Sequence, residues 1–196
     1  MTTTTDAPAV TATDDRAGTT ATLLAAFTAD PLLRWMFPEA GRYQACFPEL
    51  MRHYAGRSFD HGSAHRTADG GGAALWLQPG VTPDEEALGS LLQEAVAADR
   101  LGDVFALFEA VGACHPGEPH WYLPAIGVDP PAQGRGLGSA LLAHALAIVD
   151  GQHVGAYLES SSPRNLPLYE RFGFSVVREV SSGTSPTVFP MYRPAR

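Results

Sequence analysis

The chain has 196 residues, enough for one domain with a substantial core, and its hydrophobic fraction of 45% is typical of a globular protein. The formal net charge of −8 argues against a nucleic acid or a membrane surface as partner, because both require clustered Lys and Arg. No apolar run reaches the roughly 20 residues of a membrane-spanning helix. The Thr-rich start MTTTTDAPAVTATDD lacks the features of a secretory signal, so we expect a cytoplasmic monomer or homodimer.

Metal and disulfide chemistry find little support in the sequence. The two cysteines, Cys46 and Cys114, are far apart and outside any CxxC spacing. The seven histidines form no HExxH pattern. We therefore predict neither a disulfide framework nor a metal site.

The N-terminal part is predicted to begin with a disordered tail at residues 1–8, which is followed by one domain at residues 9–196. Residues 9–13 alternate weakly and predict a first strand. A helix is predicted from Thr19 to about Asp30, because Pro31 restricts the residue before it. The next segment, LLRWMFPEAG, is predicted to be a loop whose large apolar side chains are buried or bind a ligand.

The middle of the chain predicts helices and a hairpin. Apolar residues at helical spacing predict a helix at residues 42–56, and residues 64–67 and 73–77 predict two antiparallel strands joined by a Gly-rich turn. The segment TPDEEALGSLLQEAVAADR predicts a helix capped by Thr82, with Glu85 completing a capping box. A further helix is predicted at about residues 103–113.

The last third predicts a strand, a crossover helix and another strand, within a mixed arrangement of helices and strands. HWYLPAIGV predicts a buried strand in which Pro124 removes a hydrogen-bond donor, so we expect a bulge or a break in pairing there. A helix is predicted at about residues 136–150. It is followed by the predicted strand VGAYLES, a short helix around PLYERFG, and the strands FSVVREV and TVFPMY.

The stretch VDPPAQGRGLGSALL places three glycines between a predicted strand and a predicted helix. It is not a dinucleotide fingerprint, because the third glycine, Gly138, comes one residue too early. It is not a P-loop either, because the required lysine is missing. The free amides of residues 133–139 at a helix N-terminus favour a pyrophosphate, although the glycines could also serve only a tight connection.

Two blocks carry a resemblance to a known family. QGRGLG at residues 133–138 matches the pattern Q/RxxGxG/A, and SSPRNLPLYERFGF contributes Asn165, Tyr169 and Gly173 in matching positions. Both blocks resemble the Gcn5-related N-acetyltransferases, the GNAT superfamily. The sequence around the two blocks is similar to that of puromycin N-acetyltransferase-like members. The sequence departs from that pattern at Pro124 and before residue 115, where these enzymes usually contact substrate.

The resemblance implies an α+β fold and acetyl-CoA as cofactor. The expected architecture is a central, mostly antiparallel sheet with splayed fourth and fifth strands and helices on both faces. The pantetheine arm would enter between residues 126–128 and residues 157–160. The residues expected to bind the cofactor are Ile126, Gly127, Val128, Gln133, Gly134, Arg135, Gly136, Leu137, Gly138, Ser139 and Asn165.

The implied activity is direct transfer of an acetyl group, in a ternary complex, to the primary amine of a small molecule such as an antibiotic or another toxic metabolite. Tyr169 would protonate the leaving thiolate, although it could be a core aromatic. Glu159 is the first candidate for the base and could equally be a structural carboxylate. His120 is the second candidate, unless it is an exposed turn histidine.

The acceptor site is the least determined part of the prediction. Trp35, Phe37, Phe27 and Tyr54 could line a pocket for an apolar amine, or could belong to the core. Two alternative functions stay open: a non-catalytic acyl-CoA-binding regulatory module, and a protein N-terminal acetyltransferase that requires an open groove.

Overall fold

A computed structural model describes residues 8–196, so all but Pro8 of the predicted tail lies outside the described residues. Its seven strands form one sheet. The strands are β1 (Val10–Ala12), β2 (Ala64–Thr67), β3 (Gly72–Leu77), β4 (His120–Val128), β5 (Gly155–Ser160), β6 (Ser175–Val176) and β7 (Phe189–Arg193).

Eight α-helices surround this sheet in the described part of the chain, and short 3-10 turns precede two of them. The helices are α1 (Arg16–Ala26), α2 (Pro31–Met36), α3 (Ala40–Ala55), α4 (Arg57–Asp60), α5 (Glu85–Ala95), α6 (Ala98–Gly112), α7 (Leu137–Gly151) and α8 (Leu166–Arg171).

The strand order in the sheet is β1-β2-β3-β4-β5-β7-β6. All neighbouring strands are antiparallel except β4 and β5, which pair in parallel through the crossover helix α7. The predicted mostly antiparallel α+β sheet is confirmed.

Pro124 lies in an irregular part of β4. Between the pairs Leu75–Ala125 and Leu77–Tyr122, β4 contributes one residue more than β3 does. This is the geometry of a β-bulge, and proline is tolerated there because a bulged residue leaves the regular ladder. The predicted bulge is confirmed.

The parallel pairing of β4 with β5 runs only from His120–Gly155 to Leu123–Leu158. Beyond Leu123, β4 continues to Val128 along β3, whereas β5 continues to Ser160 along β7. The two central strands therefore diverge at the bulge, which confirms the predicted splay.

Helices cover both faces of the sheet, and each face has its own core. On one face α1, α2, α3, α5 and α6 bury side chains that include Leu23, Phe37, Phe47, Leu92 and Val104. On the other face Leu141 of α7 and Tyr169 of α8 pack in one cluster with Trp76, Trp121 and Leu158 of the sheet. Burial of this apolar surface at about 25 cal/mol per Å² is the main stabilising contribution.

Two predictions about helix starts are wrong. Helix α1 begins at Arg16 rather than Thr19, because the Asp15 side chain caps it by accepting from the Gly18 N–H at 2.8 Å. Helix α5 is capped by Asp84, which accepts from the Ala87 N–H, and not by Thr82. In both places an aspartate close to the predicted start satisfies a free helix amide.

The predicted loop LLRWMFPEAG is wrong as well, because most of it forms α2 and the start of α3. Asp30 caps α2 and Pro31 occupies its first turn, where a missing N–H costs nothing. Helix α6 begins at Ala98 rather than residue 103. The predicted strand FSVVREV is reduced to Ser175–Val176 and one isolated bridge at Val180.

None of the helices in residues 8–196 combines the length and apolarity that a bilayer crossing requires. Across the same residues, no cluster of three or more His, Cys, Asp or Glu side chains has the arrangement of a metal site.

Candidate active site

A cavity of about 520 Å³ opens where β4 and β5 diverge. Its walls come from the junction of α1 and α2, the diverging strands, the turn before α7, and α8. The splay therefore produces a cleft between two strands that are neighbours in the sheet, and this cleft ends at the N-terminus of α7.

The turn before α7 presents backbone amides to this cavity. Gly134 and Gly136 have φ angles of 76° and 81°, in the left-handed region that favours glycine. The first intrahelical bond runs from the Ala140 N–H to the Gly136 carbonyl, at 3.0 Å. The earlier amides of α7, at Leu137, Gly138 and Ser139, have no acceptor within the helix, and all three residues line the cavity. This end of the cavity is suited to an anion.

Ten of the eleven residues predicted to bind the cofactor lie on the cavity wall, including Asn165 on the side of α8. Gln133 also supports the turn, because its Nε2 donates to the Val128 carbonyl at 3.1 Å. Arg135 is the exception. Its guanidinium points away and pairs with Asp69 at 3.1 Å.

Tyr169 lies on α8 and lines the cavity. Its side chain is 6% exposed and packs edge-on against Phe174, with ring centroids 6.3 Å apart. Burial raises the pKa of the Tyr169 hydroxyl, and the nearby Asp30 carboxylate raises it further. The hydroxyl is therefore kept protonated beside the cavity, as a proton donor requires.

Glu159, at the end of β5, lies in the same cavity. Its side chain is only 9% exposed. Its Oε1 lies 3.1 Å from His115 Nε2, and His115 Nδ1 lies 3.1 Å from His120 Nε2. His120, at the start of β4, is the last side chain in this hydrogen-bonded series, and its Nδ1 donates to the Glu118 carbonyl at 2.8 Å. His120 thus approaches Glu159 only through His115.

The second oxygen of Glu159 accepts from the Tyr122 hydroxyl at 2.6 Å, and the Tyr54 hydroxyl hydrogen-bonds to that of Tyr122. Burial raises the pKa of both tyrosines, and the charge of Glu159 raises each further. Both tyrosines therefore stay neutral and act as donors. They hold the carboxylate in one position.

Asp30 is a cavity residue that sequence reasoning missed. Its Oδ1 caps α2 by accepting from the Leu33 N–H at 3.0 Å, and its Oδ2 accepts from the Ser161 hydroxyl. Burial raises the pKa of this carboxyl, and the hydrogen bond from Ser161 partly offsets the rise. The sequence pair Asp30-Pro31 could have predicted the cap of α2. No local pattern predicts that Asp30 lies beside the end of β5.

The four aromatic residues predicted for the acceptor pocket belong to or pack against one core cluster and do not line one pocket together. Phe27 lines the cavity, whereas Phe37 is fully buried in the core. Trp35 donates its Nε1–H to Thr184 at 3.1 Å, outside the cavity. Tyr54 is part of the Glu159 network through Tyr122.

A mixed sheet that splays at one parallel pair, with an amide-lined turn at the cleft, defines the fold class of the acetyltransferases. The chain is similar over 97% of its length to a histone acetyltransferase HPA2 and related acetyltransferase from Corynebacterium glutamicum, with 27% identity and a TM-score of 0.68; the match covers 97% of that chain. It is also similar to arylalkylamine N-acetyltransferase 2 from Aedes aegypti, at 13% identity, with 96% and 99% of the two chains covered and a TM-score of 0.64, which shows the fold alone.

The model of the acetyltransferase (GNAT) family matches residues 74–174, more than half of the chain. The chain therefore belongs to the GNAT family of acetyltransferases. A mycothiol acetyltransferase from Propionibacterium freudenreichii is 35% identical over 85 residues, which are 42% of this chain and 27% of that protein. The chain thus matches only about a quarter of this curated relative.

Proposed function

We propose that the protein is an acetyl-CoA-dependent N-acetyltransferase that moves the acetyl group to the primary amine of a small molecule. One observation carries the proposal. A single cavity brings the amides at the start of α7, the splayed edge of β4, Tyr169 and Glu159 together. These are an anion site, a cleft between strands, a proton donor and a carboxylate, which acyl transfer to an amine requires.

The residues present fit coenzyme A. The amides of residues 137–139 would hold the pyrophosphate, supported by the positive end of the α7 dipole. Residues 126–128 lie on the cavity side of β4 beyond its pairing with β5, so an arm that carries amides could add to this edge as a strand does. Bound there, acetyl-CoA supplies the thioester that an amine attacks.

The protein's own groups handle the protons. Tyr169 holds a proton on its hydroxyl beside the cavity and gives it to the departing sulfur. Glu159 lies on the same wall and takes the proton that the acceptor ammonium must lose before its nitrogen becomes nucleophilic. Direct transfer in a ternary complex needs no covalent intermediate on the enzyme.

The acceptor is proposed to be a small cationic amine. Asp30 and Glu159 both line the cavity, and Arg171 is the one arginine that lines it among residues 8–196. The net charge of −8 favours the approach of a cation in the same way. Phe27 supplies an apolar wall for the rest of such a molecule.

The test is a free-thiol release assay with acetyl-CoA and a panel of amines. The panel comprises agmatine, tryptamine, puromycin, free amino acids and a short peptide with a free N-terminus. We expect turnover with a small amine, and puromycin directly tests the narrower resemblance noted above. Turnover with the peptide alone would make the protein an N-terminal acetyltransferase, and CoA binding without any turnover would make it a binding module.

A Tyr169→Phe variant tests the acid. We expect kcat to fall about 100-fold, the low end for acid catalysis, with CoA affinity unchanged. Tyr43→Phe is the matched control, because the Tyr43 hydroxyl donates to the Leu24 carbonyl away from the cavity. Full turnover by Tyr169→Phe would remove Tyr169 from the acid role.

A further inference from the structure

Asp30 is a carboxylate on the cavity wall that takes no part in the proton transfers proposed above. It lies at the junction of α1 and α2 and lines the same cavity as Glu159 and Tyr169. Each of its oxygens accepts one hydrogen bond from a neutral group, from the Leu33 N–H at 3.0 Å and from the Ser161 hydroxyl. A carboxylate offers about four lone pairs, so about half of its capacity to accept hydrogen bonds remains.

The negative charge of Asp30 has no counterion in the part of the chain that the structure describes. No arginine or histidine of residues 8–196 forms an ion pair with it. Burial raises the pKa of Asp30, as it does for a charge that is not compensated. Four other aspartates do pair with an arginine, although their side chains are at least 35% exposed and water already hydrates them: Asp15, Asp60, Asp69 and Asp150.

Two arginines of this region do not supply the missing charge. Arg34 on α2 donates to the Pro38 carbonyl, and its guanidinium lies over the Tyr43 ring, 5.8 Å from the ring centroid. Arg171 on α8 lines the cavity, but it is exposed and forms no ion pair with Asp30 among the described residues. A cation bound in the cavity would therefore be the counterion of Asp30.

The cap of α2 explains an acceptor oxygen at position 30 but not a charge. Asparagine caps a helix about as well as aspartate, because the side-chain oxygen alone accepts from the helix amide. The hydrogen bond from the Ser161 hydroxyl also needs only an acceptor. A carboxylate that is partly shielded from water costs free energy unless a cation compensates it. The charge of Asp30 is thus left for a ligand.

Asp30 lies beside the segment that carries Glu159. Its hydrogen-bond partner Ser161 is two residues after Glu159, so the Cα atoms of these two residues are at most about 7 Å apart. Both carboxylates line the one cavity. A small molecule with a positive group at each end can therefore meet both of them.

We propose that Asp30 determines the acceptor specificity by binding a second positive charge, so that the preferred acceptors carry two cationic groups a short distance apart, as aliphatic diamines do. The inference rests on the proposed function, because it names the substrate class of that site. One ammonium group faces Glu159, loses its proton and is acetylated. The other keeps its protons and donates to the acceptor positions that remain on Asp30.

The test compares putrescine with butylamine, which is the same molecule without the second amino group. Cadaverine and pentylamine repeat the comparison with a longer spacer. Calorimetry with the full-length protein measures the Kd of each amine in the presence of CoA, which occupies the cofactor side and allows no transfer. We expect a diamine to bind at least about tenfold more tightly than its monoamine, since a hydrogen bond between charged groups contributes that much. Equal affinities within both pairs would overturn the proposal.

Asp30→Asn removes the charge and keeps an oxygen that can cap α2. In this variant the ratio of the two affinities should fall to about one, because the second ammonium no longer meets a carboxylate. Asp84→Asn is the matched control. Asp84 also caps a helix, by accepting from the Ala87 N–H at 3.2 Å, but it lies outside the cavity. Asp84→Asn should keep the full preference, and a preference that survives in Asp30→Asn would contradict the role of Asp30.

Turnover provides the second readout. The preference for the diamine in kcat/KM should match the preference in affinity, and Asp30→Asn should raise the KM for putrescine more than it lowers kcat. Diamine and monoamine acetylated with equal kcat/KM would overturn the inference and leave the proposed function intact. No turnover with any amine, combined with putrescine binding that depends on Asp30, would refute the proposed function alone.

Discussion

Replacing His65 with phenylalanine should make the protein more resistant to acid. His65 lies on β2, is 1% exposed, and packs edge-on against the ring of His144 on α7, with centroids 4.8 Å apart. Neither of its ring nitrogens has a hydrogen-bond partner among the described residues. Burial, and secondarily the neighbouring His144, lower the pKa of His65 from 6.5 to about 4.

The sign of the effect follows from which state binds the proton. Between pH 6.5 and about 4 the unfolded chain binds a proton at His65 and the folded protein does not. Stability is therefore complete above pH 6.5 and falls as the pH decreases through this window. The difference between the two pKa values corresponds to about 3 kcal/mol.

The assay is urea unfolding followed by tryptophan fluorescence at about pH 7.5 and about pH 4. The difference in the free energy of unfolding between His65→Phe and the wild type should shift by about 3 kcal/mol in favour of the variant when the pH is lowered from about 7.5 to about 4. The other titrating groups are common to both proteins and cancel. His61→Gln, which changes an exposed histidine, should stay parallel to the wild type. Parallel curves for His65→Phe and the wild type would refute the reasoning.

Two further variants test the turn before α7 and the buried pair of Arg193 with Asp150. Gly136→Val should weaken CoA binding at least tenfold in calorimetry and destabilise the protein by about 1–2 kcal/mol, because φ is 81° there and a β-branched residue is strained. Gly151→Ala, where an added Cβ meets nothing within 4 Å, should leave CoA binding intact. Arg193→Met should lower the free energy of unfolding by about 2 kcal/mol in the same urea assay, since the Arg193 side chain is 2% exposed and makes two hydrogen bonds to Asp150, whereas the 35% exposed Asp150 carboxylate stays hydrated after the change. Equal stability of Arg193→Met and wild type would show that this pair is not structural.

Local sequence patterns predicted the hairpin and the bulge, because each of these features depends on one or a few neighbouring residues. Three successive glycines at 70–72 predicted the hairpin because glycine permits the backbone angles of a tight turn, and Pro124 predicted the bulge because proline has no N–H for a regular ladder. The loop before α3 was mispredicted because its apolar residues obscured the cap formed by Asp30 and Pro31. A cap is a property of two or three residues, and it outweighed the irregular hydrophobic pattern.

The hydrogen-bond partners in the candidate site could not be predicted from the sequence. Glu159 was found because it lies near the C-terminal end of a predicted strand, but its partners His115 and Tyr122 are 44 and 37 residues away in the chain. The spacing reflects the length of α7 and its connections and carries no chemical pattern. Ser161 and Asp30 are 131 residues apart and are likewise joined only by the fold.

The bulge at Pro124 accounts for both the open edge of β4 and the position of Glu159 beside it. Before it, Trp121 and Leu123 of β4 pack in the core under α7, and after it Ile126 packs there, so the extra residue shifts the alternation by one. The same residue ends the pairing with β5 at Leu158, one position before Glu159. Because Pro124 has no N–H to give to either neighbouring strand, a regular ladder cannot re-form at that point. One irregularity therefore opens the edge of β4 to the cofactor arm and leaves the Glu159 carboxylate beside it.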